Sequence, residues 1–190
     1  MEYLLTKYTA EKPHAEQVKK ISLLIFDKMK QLELHNLSDK KRKMLEIGSY
    51  LHDIGYFVES KGHNKHSSKL IKAEKFEGMD DEDISIISCI ARYHRGSLPH
   101  NKHSTYASLI PKKQKTVRKL AGIARLADAL DSLHSCLISD IEFTYSQKQN
   151  ILWARIIPQN FDSKLDLYSA ICKKDLFEKA FKLQLIMVLA

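Results

Sequence analysis

Glycine and proline are scarce, six and four in 190 residues. So few chain-breakers argue for long regular elements and against disorder. Cysteine is rarer still. Cys89, Cys136 and Cys172 are far apart, odd in number and free of C-x-x-C spacing, which argues against a disulfide framework or zinc ribbon and suits a reducing compartment. The longest apolar runs, Leu23 to Phe26 and Leu185 to Ala190, fall far short of the roughly 20 residues that span a bilayer. The N-terminus lacks a basic region followed by an apolar core, so no signal peptide is expected. A cytoplasmic protein without membrane contact is the expectation. Acidic residues are outnumbered 23 to 31, a net charge of +8. That excess suits anionic partners such as phosphates, nucleotides, polyphosphate or nucleic acid, without choosing among them.

What is present is mostly helical periodicity. Pro13 suits the first turn of a helix reaching about Leu34, with the stripe Val18, Ile21, Ile25, Met29, Leu32. One step back along that stripe lies His14. Ser38 can cap a second helix carrying Met44, Leu45, Ile47, Leu51 and Ile54, with His52-Asp53 inside it and Gly55 near its end. A third helix covers roughly Asn64 to Lys75, with His66, Leu70 and Ala73 on one side. Asp80 or Asp81 opens a fourth, acidic in its first turn, whose stripe of Ile84, Ile87, Ile90 and Ala91 leads to His94. Arg95 to Lys113 reads as a long loop. A fifth helix runs from about Lys113 to Ser135, and its small-residue stripe of Val117, Leu120, Ala121, Ala124 and Ala127 continues into Asp128 and Asp131. After Ile138 the period shortens to two. Ile141–Tyr145 and Ile151–Ile157 read as strands, Leu165–Ala180 as a helix broken near Lys173, and Leu183–Leu189 as a last strand. The expected architecture is mainly α, a helical domain over 1–137 with a small β-β-α-β subdomain over 138–190.

Five helices thus bring His14, His52 with Asp53, His66, His94 and Asp128 onto apolar faces. Each would need its own buried partner. One shared cation, or two, would satisfy them together. Nitrogen and oxygen donors without thiolate suit Mn²⁺, Fe²⁺, Ni²⁺, Zn²⁺ or Mg²⁺. Such an ion can polarise a phosphoryl oxygen and lower the pKa of a bound water. Arg92, Arg95, Arg125, Lys65 and Lys69 lie near these residues in sequence and could neutralise phosphate charge. Arg118 and Arg125 could equally form structural salt bridges to Asp128 and Asp131.

The order His14, His52-Asp53, Asp128 resembles the HD-domain superfamily of metal-dependent phosphohydrolases. The segments His14-Ala15-Glu16-Gln17-Val18, Leu51-His52-Asp53-Ile54-Gly55-Tyr56-Phe57, Gly62-His63-Asn64-Lys65-His66-Ser67, Ala91-Arg92-Tyr93-His94-Arg95 and Arg125-Leu126-Ala127-Asp128-Ala129-Leu130-Asp131 resemble the C-terminal HD region of the exopolyphosphatase/guanosine-pentaphosphate phosphatase (Ppx/GppA) family. In that family exopolyphosphatase chemistry belongs to N-terminal actin-like domains, and nothing in this sequence resembles them. The resemblance implies an HD helical bundle with His14, His52, Asp53 and Asp128 as metal ligands. His66 and His94 match positions for a second metal or a substrate phosphate. Lys65, Arg95 and Arg125 are then candidate phosphate-binding residues, and Asp131 supports a ligand from behind. The implied function is hydrolysis of a nucleotide or other small phosphorylated ligand through a metal-activated water, with Asp53, His66 and His94 in catalytic roles. The alternative is a non-catalytic or regulatory module that binds polyphosphate, an alarmone nucleotide or nucleic acid.

Overall fold

The computed structural model describes residues 1–160 and 165–190. The helices in chain order are α1 (Glu2–Lys7), α2 (Lys12–Gln31), α3 (Asp39–Tyr50), α4 (His63–Ala73), α5 (Asp81–Tyr93), α6 (Ser104–Ala107), α7 (Pro111–Leu130), α8 (Tyr168–Lys173) and α9 (Asp175–Phe181). A short 3-10 turn covers Ile54–Phe57. The strands are β1 (Ile138–Ser146), β2 (Ile151–Pro158) and β3 (Gln184–Leu189). The fold is mainly α with a small C-terminal sheet.

The centre of the bundle is α7. Every residue from Leu120 to Leu130 is buried, Arg125 and Asp128 included, so this half of the helix lies inside the others. Its small residues let neighbours approach closely. A Cβ on Gly122 would lie 3.0 Å from the Cα of Phe177, so α9 rests on the α7 backbone there. Helices α2, α3 and α5 pack against α7, and α4 packs on α5. Asp80 and Asp83 close a capping box at the start of α5, which sets where that helix begins.

The sheet has the order β1-β2-β3, with β1 antiparallel and β3 parallel to β2. Residues Ile141, Leu152, Ala154, Ile156 and Leu185 face inward and join one continuous core with the bundle. The alternation puts Trp153 and Arg155 outside. The side-chain amide of Gln17 on α2 donates to the carbonyl of Ile138 at 2.8 Å, fixing the sheet to the helix that carries His14. The break between α8 and α9 falls at Lys174, one residue beyond the expected Lys173.

Several local expectations are corrected. Helix α3 stops at Tyr50, with Leu51 as its C-cap, so His52 and Asp53 sit in the turn beyond the helix. The Arg95–Lys113 segment is not one loop: it contains α6, and α7 already begins at Pro111. At its other end α7 finishes at Leu130 rather than Ser135. Helix α1 was not foreseen. Its Leu4 and Leu5 are buried, and the hydroxyl of Tyr8 just beyond it donates to Glu74 at 2.6 Å. Ser38 stands at the N-cap of α3, but its side chain makes no capping bond.

Gly55 is where the turn after Asp53 meets the start of α4. A Cβ there would lie 2.0 Å from the carbonyl oxygen of His63 and 2.4 Å from the amide nitrogen of Ser67. Both obstacles are backbone, so neither can rotate away. The Gly55 amide donates to the Ser67 hydroxyl at 2.8 Å across the same contact. Gly55→Ala should cost about 3 kcal/mol, the upper end for overpacking. In a chain of this size that lowers the melting temperature by about 6–12 °C. Thermal denaturation followed by circular dichroism checks this; an unchanged midpoint would show that the contact is looser than described.

Candidate metal centre

Four histidines converge from four places in the chain, and each has its Nδ1 engaged. His14 Nδ1 donates to Asp131 Oδ2 at 2.8 Å. His52 Nδ1 donates to the Ser49 carbonyl at 2.7 Å, His63 Nδ1 to the Ser60 carbonyl at 3.0 Å and His94 Nδ1 to the Ala91 carbonyl at 2.6 Å. The acceptors are carbonyls or a carboxylate, so each Nδ1 must carry the hydrogen. In the neutral ring Nε2 then holds a lone pair. These lone pairs face one another. His14 and His52 bring their Nε2 atoms to 3.3 Å, and His63 and His94 do the same at 3.3 Å. Two lone pairs at that distance repel unless a proton or a cation lies between them or beside them.

Asp53 stands between the two pairs. Its Oδ2 is 3.3 Å from His52 Nε2 and 3.9 Å from His14 Nε2. Its Oδ1 is 3.2 Å from His63 Nε2 and 3.5 Å from His94 Nε2. Asp53 Oδ1 is buried and has no hydrogen-bond partner among the described residues, the mark of an acceptor oriented for something other than protein. Asp128 completes the first group, its Oδ1 3.6 Å from His14 and 3.7 Å from His52. The donor atoms of His14, His52 and Asp128 are mutually close enough to share one ion. Those of His52, Asp53 and His94 are as well. The set is nitrogen and oxygen without sulfur, which suits borderline and hard divalent ions. The residues therefore fit a metal.

The structure brings together His14, His52, Asp53, His94 and Asp128. It leaves His66 outside: its Nε2 is 3.8 Å from Glu59 and makes no approach to Asp53. The place expected for His66 is taken by His63, the first residue of α4. The helix phase explains the difference. The buried line of α4 is His63, Ser67, Ile71, and the buried Ser67 hydroxyl is satisfied by accepting the Gly55 amide. A buried serine does not register in an apolar stripe, so the sequence pattern selects the adjacent line through His66 and Leu70.

Asp131 lies behind His14, where a supporting carboxylate was expected. Its second oxygen accepts the Cys136 amide at 2.8 Å. Arg95 reaches the site, with Nη1 3.5 Å from His63 Nε2. Lys65 is exposed and lines no part of the cavity. Arg125 turns elsewhere: it donates to the Gly96 carbonyl at 3.1 Å and lies 3.3 Å from Asp175, so it braces the segment after α5 against α9.

Two residues not anticipated complete the wall. Lys173 on α8 lies 3.4 Å from Asp128 Oδ2. His134 stacks on His14, ring centres 3.7 Å apart and 4° from parallel, and its Nδ1 meets Glu11 at 2.7 Å. The only sequence signal for His134 was its place six residues after Asp128. The cavity that Asp53, Tyr56, His63, His94, Arg95, Asp128, His134 and Lys173 help to line measures about 150 Å³. That is room for a phosphate group with a few waters at roughly 30 Å³ each. A nucleoside would have to lie outside it.

Electrostatics follow from the crowding. Burial alone would push the His52 imidazole down, but Asp53 and Asp128 outweigh it and lift it to about 10. Burial opposes ionisation of Asp53 and Asp128 too, yet neighbouring imidazoles hold both well below the carboxylate range. His94, buried and beside a protonated His52, is pushed down to about 4. In metal-free protein a proton on His52 thus takes the place of a cation.

A helical bundle that gathers four imidazoles and two carboxylates around one small cavity belongs to the class of proteins whose side chains could hold divalent ions. The family model for Ppx/GppA phosphatase, domain III, matches residues 1–176. The chain belongs to that family. Membership points to a protein related to polyphosphate or nucleotides. No curated protein gives a significant match. No helix among the described residues is long and apolar enough to cross a membrane.

Two expectations follow. The first concerns pH. His52 sits above its ordinary 6.5, so its contribution to stability is full below about 6.5 and lost as pH rises toward about 10. His94 is held below 6.5, so the unfolded chain takes up a proton that the fold refuses as pH falls from 6.5 toward 4. Asp53 and Asp128 add stability above about 3.8 that is lost in acid. Metal-free protein should therefore be most stable near pH 6.5, and added Mn²⁺ should stabilise it more at pH 9 than at pH 6, because the ion must displace the His52 proton. Urea denaturation across pH, with and without Mn²⁺, tests both statements; a metal-free stability that keeps rising to pH 9 would contradict them. The second concerns Asp131→Asn. An amide can offer an acceptor oxygen to His14 or to the Cys136 amide but not to both. Metal affinity should fall about 10- to 100-fold with the fold retained, as isothermal titration would show.

Proposed function

We propose that this chain is a metal-dependent phosphohydrolase of the HD superfamily, acting on a small phosphorylated ligand. One observation carries the reading: two facing pairs of imidazole Nε2 atoms, each held by its Nδ1 bond, with one Asp53 oxygen presented to each pair. Surface binding of an anion needs no such arrangement, which is why hydrolysis is preferred to a purely electrostatic binding module. Divalent ions held there would polarise a phosphoryl oxygen and bring the pKa of water toward neutrality. Mn²⁺, Fe²⁺, Ni²⁺, Zn²⁺ and Mg²⁺ all suit the donors, and their identity is part of the proposal's test.

The chain's own residues would do the rest. His14, His52 and Asp128 hold one side of the centre, His63 and His94 the other, and Asp53 links them. Arg95 and Lys173 line the same cavity and would neutralise phosphate charge. Lys173 is near Asp128, so binding a phosphate would draw it from one anion toward another. Asp131 orients His14. The cavity excludes a base and sugar, so recognition of the remainder of a nucleotide or phosphate chain falls to the rim, including exposed Tyr56, which stacks on His63 with ring centres 3.9 Å apart.

The test is phosphate release from a panel of nucleotides, phosphomonoesters and polyphosphate, with each metal in turn. Wild type should release phosphate from at least one. Asp53→Ala should lower the rate about 100-fold or more, since it removes a ligand rather than its support. His63→Ala should be similarly damaging, whereas His66→Ala should stay within about two-fold. Equal rates in wild type and a folded Asp53→Ala protein would exclude the proposed centre.

A further inference from the structure

We infer that a second cavity, on the far side of the segment that carries Arg95, is a binding site for a phosphate group. It measures about 180 Å³ and is lined by Arg92, Lys102, His103, Ser104 and Thr105. None of these is acidic. The guanidinium Nε of Arg92 is buried and has no acceptor among the described residues. The Arg92 guanidinium lines the cavity as a full positive charge, and an anion there would compensate it.

The surroundings are cationic as well. The His103 imidazole is held below its ordinary value by burial first, then by Arg92, His100 and Lys65, with no carboxylate acting on it. Its Nδ1 lies 2.9 Å from the Tyr93 hydroxyl. With that hydroxyl donating, the ring carries its hydrogen on Nε2 and has a donor to offer. The turn at His100–His103, closed by a bond from the His103 amide to the His100 carbonyl at 2.9 Å, presents Lys102 and His103 together. Ser104 and Thr105 add hydroxyl donors. Guanidinium, ammonium, imidazole and two hydroxyls with no competing carboxylate make a donor set for a tetrahedral oxyanion.

The site is anchored to the metal centre without being part of it. The Asn64 side-chain amide donates to the Arg92 carbonyl at 2.6 Å and the Arg95 carbonyl at 3.3 Å. Arg92 faces the second cavity and Arg95 the first, so this segment is a wall common to both. Phosphate binding at the second cavity stands whether or not the first performs hydrolysis.

The experiment is a titration of chelator-treated, ¹⁵N-labelled protein with inorganic phosphate, read as amide shifts. The Ser104 and Thr105 amides should move and saturate. Arg92→Gln/Lys102→Gln should weaken that binding about ten-fold or more, the effect of losing charge-assisted donors. His103→Gln, a milder change, should weaken it in the same direction. His52→Ala/Asp53→Ala, or Asp128→Asn if that protein does not fold, should leave it within about two-fold. Static amides at 103–105 would overturn the inference, as would shifts confined to residues around Asp53 and His63. So would wild-type affinity in the folded Arg92→Gln/Lys102→Gln protein.

Discussion

Repulsion between imidazole lone pairs is the constraint on which this structure turns. Four rings are locked by their Nδ1 bonds, so they cannot rotate to relieve it. Backbone carbonyls hold three, and the Asp131 carboxylate holds the fourth. A proton on His52 relieves the first pair, whereas His94 is held down to about 4, which leaves the second pair to an ion. A single carboxylate, Asp53, is placed to help both pairs. In the metal-free chain His52 holds a proton up to about pH 10 because Asp53 and Asp128 flank it. The same two carboxylates could compensate a divalent ion, since each has further lone pairs to offer.

The fold is arranged to hold these rings at close quarters. Helix α7 is buried along its C-terminal half, from Leu120 to Leu130, and delivers Asp128 at its last turn. Termination of α3 at Tyr50 lets His52 and Asp53 leave the helical path, so two consecutive residues can address one centre. Gly55 then permits α4 to begin hard against that turn, bringing His63 to Asp53. The sheet enters indirectly. Its first strand is tied to α2 through Gln17, on the helix that carries His14.

Much of this was legible in the sequence for a simple reason. A histidine or aspartate that continues an apolar stripe is conspicuous, and His14, His94 and Asp128 each do so. The strands were legible from their period of two, and the break near Lys173 from the interrupted helical pattern. What escaped depended on polar burial or tertiary contact. His63 lies on a line of buried residues with Ser67, whose buried hydroxyl is satisfied by one hydrogen bond from Gly55. Arg125 and Lys65 are close to the site in sequence, but Asp175 and the Gly96 carbonyl claim the first and solvent the second. His134 follows α7 with a positive φ of 52° and is placed by stacking on a ring 120 residues earlier. No local pattern records such a contact.

The most direct test is anomalous X-ray diffraction from crystals grown with Mn²⁺. The account predicts two ions, one on each side of the Asp53 carboxylate. One would be held by His14, His52 and Asp128, the other by His63 and His94. No anomalous density at Asp53, with the imidazole pairs still facing each other, would contradict it.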